Sequence, residues 1–282
     1  MPVVATGDAA TAGAPADEVR AREGRPPRLV EPLIFVLSIA SALLVWELIS
    51  RGGLIAERDL PSMSDVFSAL WDQMHTRHFW ASVAQTVRGW ALGLAVAIAL
   101  AVPIGILLGS SDFLASAFRV PIEFLRPIPS VALIPLLFLT LGTQLRSEVF
   151  LAAFGAFWPL LVQTMYGVRD VDPVALDTAR SFGVPRFARL YRITLPSAVP
   201  YIATGIRIAS AVSLILAFTA ELFMGLPGLG QDLNFASANG DTLQIYVVAV
   251  AVAFVGLAIH LLSTASERRA LRWHPSQRTG TA

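Results

Sequence analysis

Long runs of apolar residues without charge are the feature that most restricts how this chain can fold. A helix of about 20 apolar residues is needed to cross the roughly 30 Å hydrocarbon core of a bilayer. Six segments reach or approach that length, so the sequence predicts an all-α polytopic membrane protein with about six transmembrane helices. The predicted spans are residues 33–49, 90–108, 131–141 extended back through Pro127 and Arg126, 149–168, 198–224 and 245–265.

The types of charged and reactive side chain exclude several functions. Charged residues make up 15% of the chain, against about 25% in soluble proteins. All 21 basic residues are arginine, so the lysine that a G-x-x-x-x-G-K-[ST] nucleotide-binding loop requires is missing. The sequence contains no cysteine, which excludes disulfides and cysteine-ligated metals. We predict no catalytic group and no metal site, and the net charge of +1 argues against nucleic-acid binding.

The positions of the arginines predict the orientation in the membrane. Arginine and lysine are enriched in the cytoplasmic segments of membrane proteins. If the N terminus is inside, the inner segments contain 15 arginines and the outer segments 5. We therefore expect both termini in the cytoplasm. Residues 1–30 are predicted to form a disordered cytoplasmic tail, residues 31–266 the transmembrane domain, and residues 267–282 a cytoplasmic C-terminal tail.

Small residues recur at every fourth position in two of the predicted spans. Small side chains let helix backbones approach closely, which drives helix packing in lipid. A ridge of this spacing winds around its helix, so it should contact more than one neighbour. We therefore predict a compact bundle. The ridges are Gly89, Gly93, Ala97, Ala101, Gly105 and Gly109 in the second span and Gly205, Ala209, Ser213 and Ala217 in the fifth.

Residues 170–196, between the fourth and fifth spans, contain a predicted helix–turn–helix. Asp172 is a favourable N-cap, Pro173 suits the first helical position, and Gly183 suits the position after the helix ends. Leu195-Pro196 is predicted to break the chain before the next span. The apolar face of the first helix is predicted to comprise Leu176, Ala179 and Phe182. A second helix starting at Pro185 is predicted to turn Phe187, Leu190 and Ile193 inward. Such an amphipathic unit is suited to docking in a groove on a soluble partner.

The same segment resembles the cytoplasmic loop of the permeases of ABC importers. That family has the pattern E-A-A, three residues, Gly, nine residues, I-x-L-P. This sequence matches the spacing with Asp177-Thr178-Ala179, Gly183 and Ile193-Thr194-Leu195-Pro196, although Asp replaces Glu and Thr replaces the first Ala. The resemblance has a core at about residues 82–265. It narrows to the nitrate, sulfonate and taurine branch through residues 126–135, 205–209, 220–221, 228–230 and 267–273.

This resemblance implies a type I ABC importer permease fold in the bacterial inner membrane. It further implies a dimer of permeases, most simply a homodimer, with two separate ATPase subunits that bind ATP and Mg and an external solute-binding protein. The chain itself would bind no cofactor and catalyse no reaction. The solute would be a small anion such as sulfonate, taurine or nitrate. The coupling-loop residues would be Leu176, Asp177, Thr178, Ala179, Phe182, Gly183, Ile193, Leu195 and Pro196.

Several polar or helix-breaking residues inside the spans are candidates for a solute pathway or gate. They are Pro127, Pro129, Pro135, Arg207 and Glu221. Prolines remove backbone donors, and broken helices are tolerated at membrane depth where they line a cavity. Intramembrane charges usually face a cavity or a partner. Simple kinks at the prolines, and snorkelling or an interhelical bond for Arg207, remain alternatives. The Gly-rich outer segment 225–240 is either a gate for the binding protein or a plain connector.

Two further functions compete with the ATP-driven importer of small anions. An ion-gradient-driven secondary transporter would commonly show inverted repeats, and no convincing repeat is visible in the sequence. An importer permease for uncharged pyrimidine-like solutes has a similar sequence pattern. A membrane-embedded enzyme is disfavoured because the spans lack a cluster of catalytic side chains.

Overall fold

A computed structural model describes residues 30–53 and 55–271, and within those ranges the regular secondary structure is entirely helical. The predicted tail up to residue 29 and residues 272–282 lie outside the described part. The helices are α1 (Val30–Arg51), α2 (Met63–Met74), α3 (Arg77–Gly109), α4 (Asp112–Leu125), a 3₁₀ turn (Ser130–Leu133), α5 (Ile134–Leu141), α6 (Leu145–Arg169), α7 (Pro173–Ser181), α8 (Arg186–Arg189), a π-helical turn (Leu190–Thr194), α9 (Leu195–Met224), α10 (Leu229–Asn239) and α11 (Thr242–Ala270).

Helices α3 and α6 pack in parallel through two ridges of i, i+4 spacing. A Cβ atom at Gly93 would lie 2.5 Å from the Cβ of Ala152, and one at Gly109 would lie 2.8 Å from the Cβ of Val168. Because the residue numbers rise together along the contact, both helices run in the same direction. The predicted α3 ridge is buried as expected. Its counterpart on α6 consists of Glu148, Ala152, Ala156, Leu160, Thr164 and Val168, all buried.

This parallel arrangement determines the path of the chain between α3 and α6. The contact from residue 89 to residue 109 covers about 30 Å of helix, the thickness of a bilayer core. Residues 110–144 therefore have to return from one membrane surface to the other. The bent pair formed by α4 and the segment Ser130–Leu141, with an angle of 78° between its two parts, thus crosses the membrane once. This is the predicted broken third span, and its break contains Pro127 and Pro129.

The next two long helices alternate in direction. A Cβ atom at Gly205 of α9 would lie 2.9 Å from the Cβ of Gln163, while Gly167 lies against Tyr201, so α9 runs antiparallel to α6. Helix α11 returns along α9. The described part thus contains four helices long and apolar enough to span a membrane and one bent pair. With the 22-residue α1 as a further crossing the number would be six, which remains a prediction.

Helix α1 is attached to the bundle through its C-terminal end. The indole Nε1 of Trp46 donates to the carbonyl of Pro61 at 3.1 Å, and the hydroxyl of Ser50 donates to the carbonyl of Leu60 at 2.8 Å. The Trp46 ring also meets Tyr246 of α11 edge to face at 5.4 Å. Along the rest of α1, mostly toward its N-terminus, exposed apolar side chains present a surface suited to lipid. They are Ile34, Val36, Leu37, Leu44, Val45 and Leu48.

Two helices extend beyond the apolar segments that the sequence predicts as spans. The second span was expected to start at Trp90, but α3 begins at Arg77, where the hydroxyl of Thr76 accepts from the backbone N–H of Phe79. Polar residues in the first turns concealed this extension, because the helix continues beyond the apolar layer. Helix α11 continues to Ala270, past the predicted start of the C-terminal tail at residue 267, and that domain boundary stays a prediction.

The expected break at Leu195-Pro196 is wrong. The chain forms one helical rod from Arg186 to Met224, 39 residues long. Proline lacks a backbone donor and crowds the preceding turn of an α-helix. Here a π-helical turn at Leu190–Thr194 ends two residues before Pro196. A π-turn widens the helix locally, so the proline is accommodated without ending it.

We predict that Gly93→Ala destabilises the protein by about 1–3 kcal/mol, as is typical of overpacked cores. The added methyl group would lie 2.5 Å from Ala152 Cβ and 3.3 Å from the backbone nitrogen of Ala153, so α3 and α6 would have to separate. Gly256→Ala is the matched control, because its nearest neighbour would be Leu214 Cδ2 at 3.6 Å. Thermal unfolding of the purified variants is the measurement, and equal midpoints would contradict the assigned packing face.

Candidate functional site

The segment between α6 and α9 has the local structure that its sequence predicts. The Asp172 carboxylate accepts from the backbone N–H of Val174 at 2.8 Å and caps α7. Gly183 has a φ of 70°, a conformation that favours glycine. The N–H of Val184 donates to the carbonyl of Ala179 at 2.9 Å, as in a Schellman C-cap. We call the end of the bundle that carries this segment the loop end.

The three residues expected to form one apolar face on α7 are separated. Ala179 is only 8% exposed and packs within the chain, whereas Phe182 is 82% exposed and Leu176 is half-buried. The reason is that α7 ends at Ser181. Phe182 is the C-cap residue of α7, one turn beyond Ala179, and the packing that buries Ala179 does not extend to it.

Four large apolar side chains of this short segment are nevertheless strongly exposed. Phe187, which was expected to point inward, is 86% exposed, while Leu190 and Ile193 are half-buried. Large exposed apolar patches on a protein mark sites of interaction. We call this set the docking face, and it consists of Val174, Phe182, Phe187 and Tyr191.

The remaining residues of the loop motif have structural positions. Asp177 pairs with Arg180 on the surface of α7 at 2.9 Å, and the carbonyl of Thr178 accepts from the N–H of Phe182 at 3.1 Å. Leu195 and Pro196 lie half-buried at the start of α9. These residues hold the loop in shape, and the docking face projects from that framework.

A second group of polar residues is buried at the opposite end of the bundle. Glu221 on α9 is fully buried, and its Oε2 accepts from the backbone N–H of Gly230 at 2.8 Å and from the hydroxyl of Thr86 at 2.9 Å. The Thr86 hydroxyl accepts in turn from the N–H of Leu229 at 3.0 Å. Free backbone donors at a helix N-terminus attract negative charge. Glu221 and Thr86 therefore cap α10 from two other helices and hold the segment 225–240 on the bundle.

Glu148 joins this group and was missed by the sequence analysis. It is 3% exposed, and its carboxylate fills the space that a side chain on Gly89 would need. Gly228, with a φ of 154°, makes similar room for the carboxylate of Glu221. The four-residue spacing of the ridges could have indicated its burial, since Glu148 precedes Ala152 by four residues just as Glu221 follows Ala217 by four. Both acids are thus the outermost members of buried ridges.

The other pathway candidates are dispersed. Nη1 of Arg207 lies 3.3 Å from Oε2 of Glu267 on α11, and the hydroxyl of Thr204 donates to the same carboxylate at 3.3 Å. Arg207 therefore forms an interhelical ion pair with Glu267, as one of the two structural alternatives expects. Pro127, Pro129 and Pro135 are each exposed to solvent or lipid. Among the described residues, no group of three or more His, Cys, Asp and Glu could hold a metal ion.

Comparison with known proteins places this chain in a family. Residues 101–272 match the family model of the binding-protein-dependent transport system inner membrane component. The chain belongs to this family. It is 30% identical to a permease of Escherichia coli named for aliphatic sulfonates transport, over 82% of this chain and 88% of that one. It is 28% identical to the nitrate import permease protein of Synechocystis, over 83% of this chain and 91% of that one.

A solved structure supports the fold. The membrane protein of the MetNI methionine ABC transporter, in an inward facing conformation, superposes with a TM-score of 0.61 at 16% identity, covering 68% of this chain and 96% of that chain. The type I importer fold predicted from the sequence is confirmed. This chain is the permease subunit of a binding-protein-dependent ABC importer, and ATP hydrolysis takes place in a separate subunit. The membership decides against the secondary transporter.

We predict that Thr86→Val loosens the outer segment. Valine keeps the shape of threonine but leaves the N–H of Leu229 unpaired and removes a donor to Glu221, a cost of about 1–3 kcal/mol. Amide hydrogen exchange in α10 should accelerate. Thr140→Val is the control, because that exposed hydroxyl donates only to Leu136 in its own helix. Unchanged exchange in Thr86→Val would show that the cap does not hold α10.

Proposed function

We propose that this permease works as one half of a homodimer that imports a small anion, with the loop end in the cytoplasm against a separate ATPase. The observation that carries the proposal is the docking face. Its aromatic side chains protrude next to the ends of the spans, within the region that matches the family. Aromatic residues are enriched at the centres of protein interfaces.

The docking face is well placed to receive motion from a partner. Phe187 lies in the first turn of the rod that continues through α9, so one helical element joins the docking face to Glu221 and the outer segment. Movement of the ATPase subunits on binding ATP would therefore reach the opposite side of the membrane. Rigid-body motion of packed helices is a common form of such switching.

The proposed orientation follows the distribution of arginine. The loop segment 170–194 contains Arg180, Arg186, Arg189 and Arg192, and the end of α11 at the same membrane surface adds Arg268 and Arg269. Positive residues favour the cytoplasmic side. The loop end would then face the cytoplasm together with both termini, and the cluster of Glu221 and Thr86 would face the solute-binding protein.

The proposed second permease chain would cover apolar surface that this chain leaves open. On α5, Leu139 is 83% exposed, and on α9, Ile215 and Phe223 are 63% and 66% exposed. Both helices also contribute to one buried cluster with Leu137 and Leu216, so α5 and α9 pack side by side. Closed two-fold pairing is the commonest symmetry among homo-oligomers, and the three candidate pathway prolines would lie near that interface.

The proposed anionic solute rests on the relatives named for sulfonates and nitrate. Because Arg207 is paired with Glu267, its positive charge does not by itself support an anionic solute. We expect that the solute-binding protein, purified with the assembled importer and analysed by mass spectrometry, carries a sulfonate or nitrate. A bound pyrimidine-like compound would overturn the solute class and leave the permease assignment intact.

We predict that Phe182→Ala weakens binding of the ATPase subunit by about 2 kcal/mol, or roughly 30-fold in Kd, as for an interface hot spot. Phe254→Ala, which removes a 53% exposed ring from α11 within a span, is the matched control. Ala179→Arg is a poorer test, because Ala179 is buried and its replacement would disturb the loop itself. An unchanged Kd for Phe182→Ala would show that the ATPase binds elsewhere.

A further inference from the structure

A basic cleft separates the loop segment from the ends of the spans. It has a volume of about 790 Å³ and lies between the ends of α3 and α6, helix α7 and the start of the long rod. Four of its lining side chains are arginines, namely Arg169, Arg180, Arg186 and Arg189. The cleft shares Phe187 with the docking face, whereas its four arginines lie outside that face.

The positive charge in this cleft is only partly balanced. Arg169 lies 3.2 Å from Asp112, whose side chain is fully exposed, and Arg180 lies 2.9 Å from Asp177. Arg186 and Arg189 form no ion pair within residues 30–53 and 55–271. Two guanidinium groups are therefore available to an anion from outside the chain.

The cleft lies at the level of a membrane surface. Gly109 and Arg169, two of its lining residues, are the last residues of α3 and α6. Apolar side chains of Val168, Leu176 and Leu190 form part of its wall. A ligand in this position could place a charged group against the arginines and an apolar group against that wall.

We propose that this cleft binds the phosphate of an anionic phospholipid from the adjacent leaflet. The planar guanidinium group matches phosphate oxygens with paired hydrogen bonds, and basic pockets at the cytoplasmic ends of spans recognise anionic headgroups. The bound lipid would connect α7 and α8 to the ends of α3 and α6, and thereby brace the loop that carries the docking face. The leaflet rests on the proposed orientation, whereas the cleft and its charge do not.

The test uses the full-length protein in nanodiscs of phosphatidylcholine with or without phosphatidylglycerol. Native mass spectrometry would measure retained lipid, and thermal unfolding would measure stabilisation. We expect phosphatidylglycerol to be retained and to raise the melting temperature. The double variant Arg186→Gln/Arg189→Gln should bind it roughly 30-fold more weakly. Arg58→Gln/Arg146→Gln, which removes two arginines at the opposite end of the bundle, should bind it as the unchanged protein does.

Two further arms identify the source of the phosphate and exclude the ATPase as occupant. Inorganic phosphate and glycerol phosphate, added to protein in phosphatidylcholine, should stabilise it much less than phosphatidylglycerol does; equal stabilisation would assign the cleft to a free anion. Unchanged lipid retention in Arg186→Gln/Arg189→Gln would overturn the proposal. If that variant retained the lipid but lost the ATPase subunit, the two arginines would be assigned to the ATPase interface. Lipid retention is measured without the ATPase. An unchanged Kd of the ATPase for Phe182→Ala would therefore contradict the docking face and leave the lipid result unaffected.

Discussion

The close parallel contact between α3 and α6 is the constraint on which the rest of the membrane domain depends. Lipid supplies no hydrophobic drive for helix association, so the pair relies on van der Waals contact between small residues. Positions such as Gly93 and Ala152 have no room for another methyl group. Two parallel neighbours require a return crossing between them, which the bent pair provides. Helix α9 then packs against both, with Ser213 bonded to the carbonyl of Trp90.

The sequence could predict those features that depend on local backbone chemistry or on helical spacing. The predicted roles of Asp172 as N-cap and Gly183 as helix-ending residue are correct, because capping and a positive φ follow from the chemistry of those residues themselves. The two small-residue ridges are correct because every fourth residue returns to one helix face. The differences at Ala179, which is buried within the chain, and at Phe187, which is exposed, have a different origin. They depend on how the short helices of the loop pack against the rest of the bundle, which local spacing does not determine.

Glu148 and Glu221 show the limit of reasoning from single charged residues. A charge near the end of a span can be explained by exposure to the headgroups, so its burial is invisible until its partners are known. The structure encloses these two carboxylates among α3, α6 and α9, where Gly89 and Gly228 provide the space. Burying such groups is costly unless donors compensate, and the N-terminus of α10 supplies donors to Glu221.

The rod from Arg186 to Met224 also has the proportions of a lever. It approaches α6 closely at Gly205, which suits the role of a fulcrum. At 1.5 Å per residue, the arm from Gly205 to Arg186 is about 28 Å long and the arm to Glu221 about 24 Å. A tilt of about 10° would therefore shift the two ends by roughly 5 Å and 4 Å in opposite directions. With nearly equal arms, a displacement on one side of the membrane is reversed on the other with little loss of amplitude.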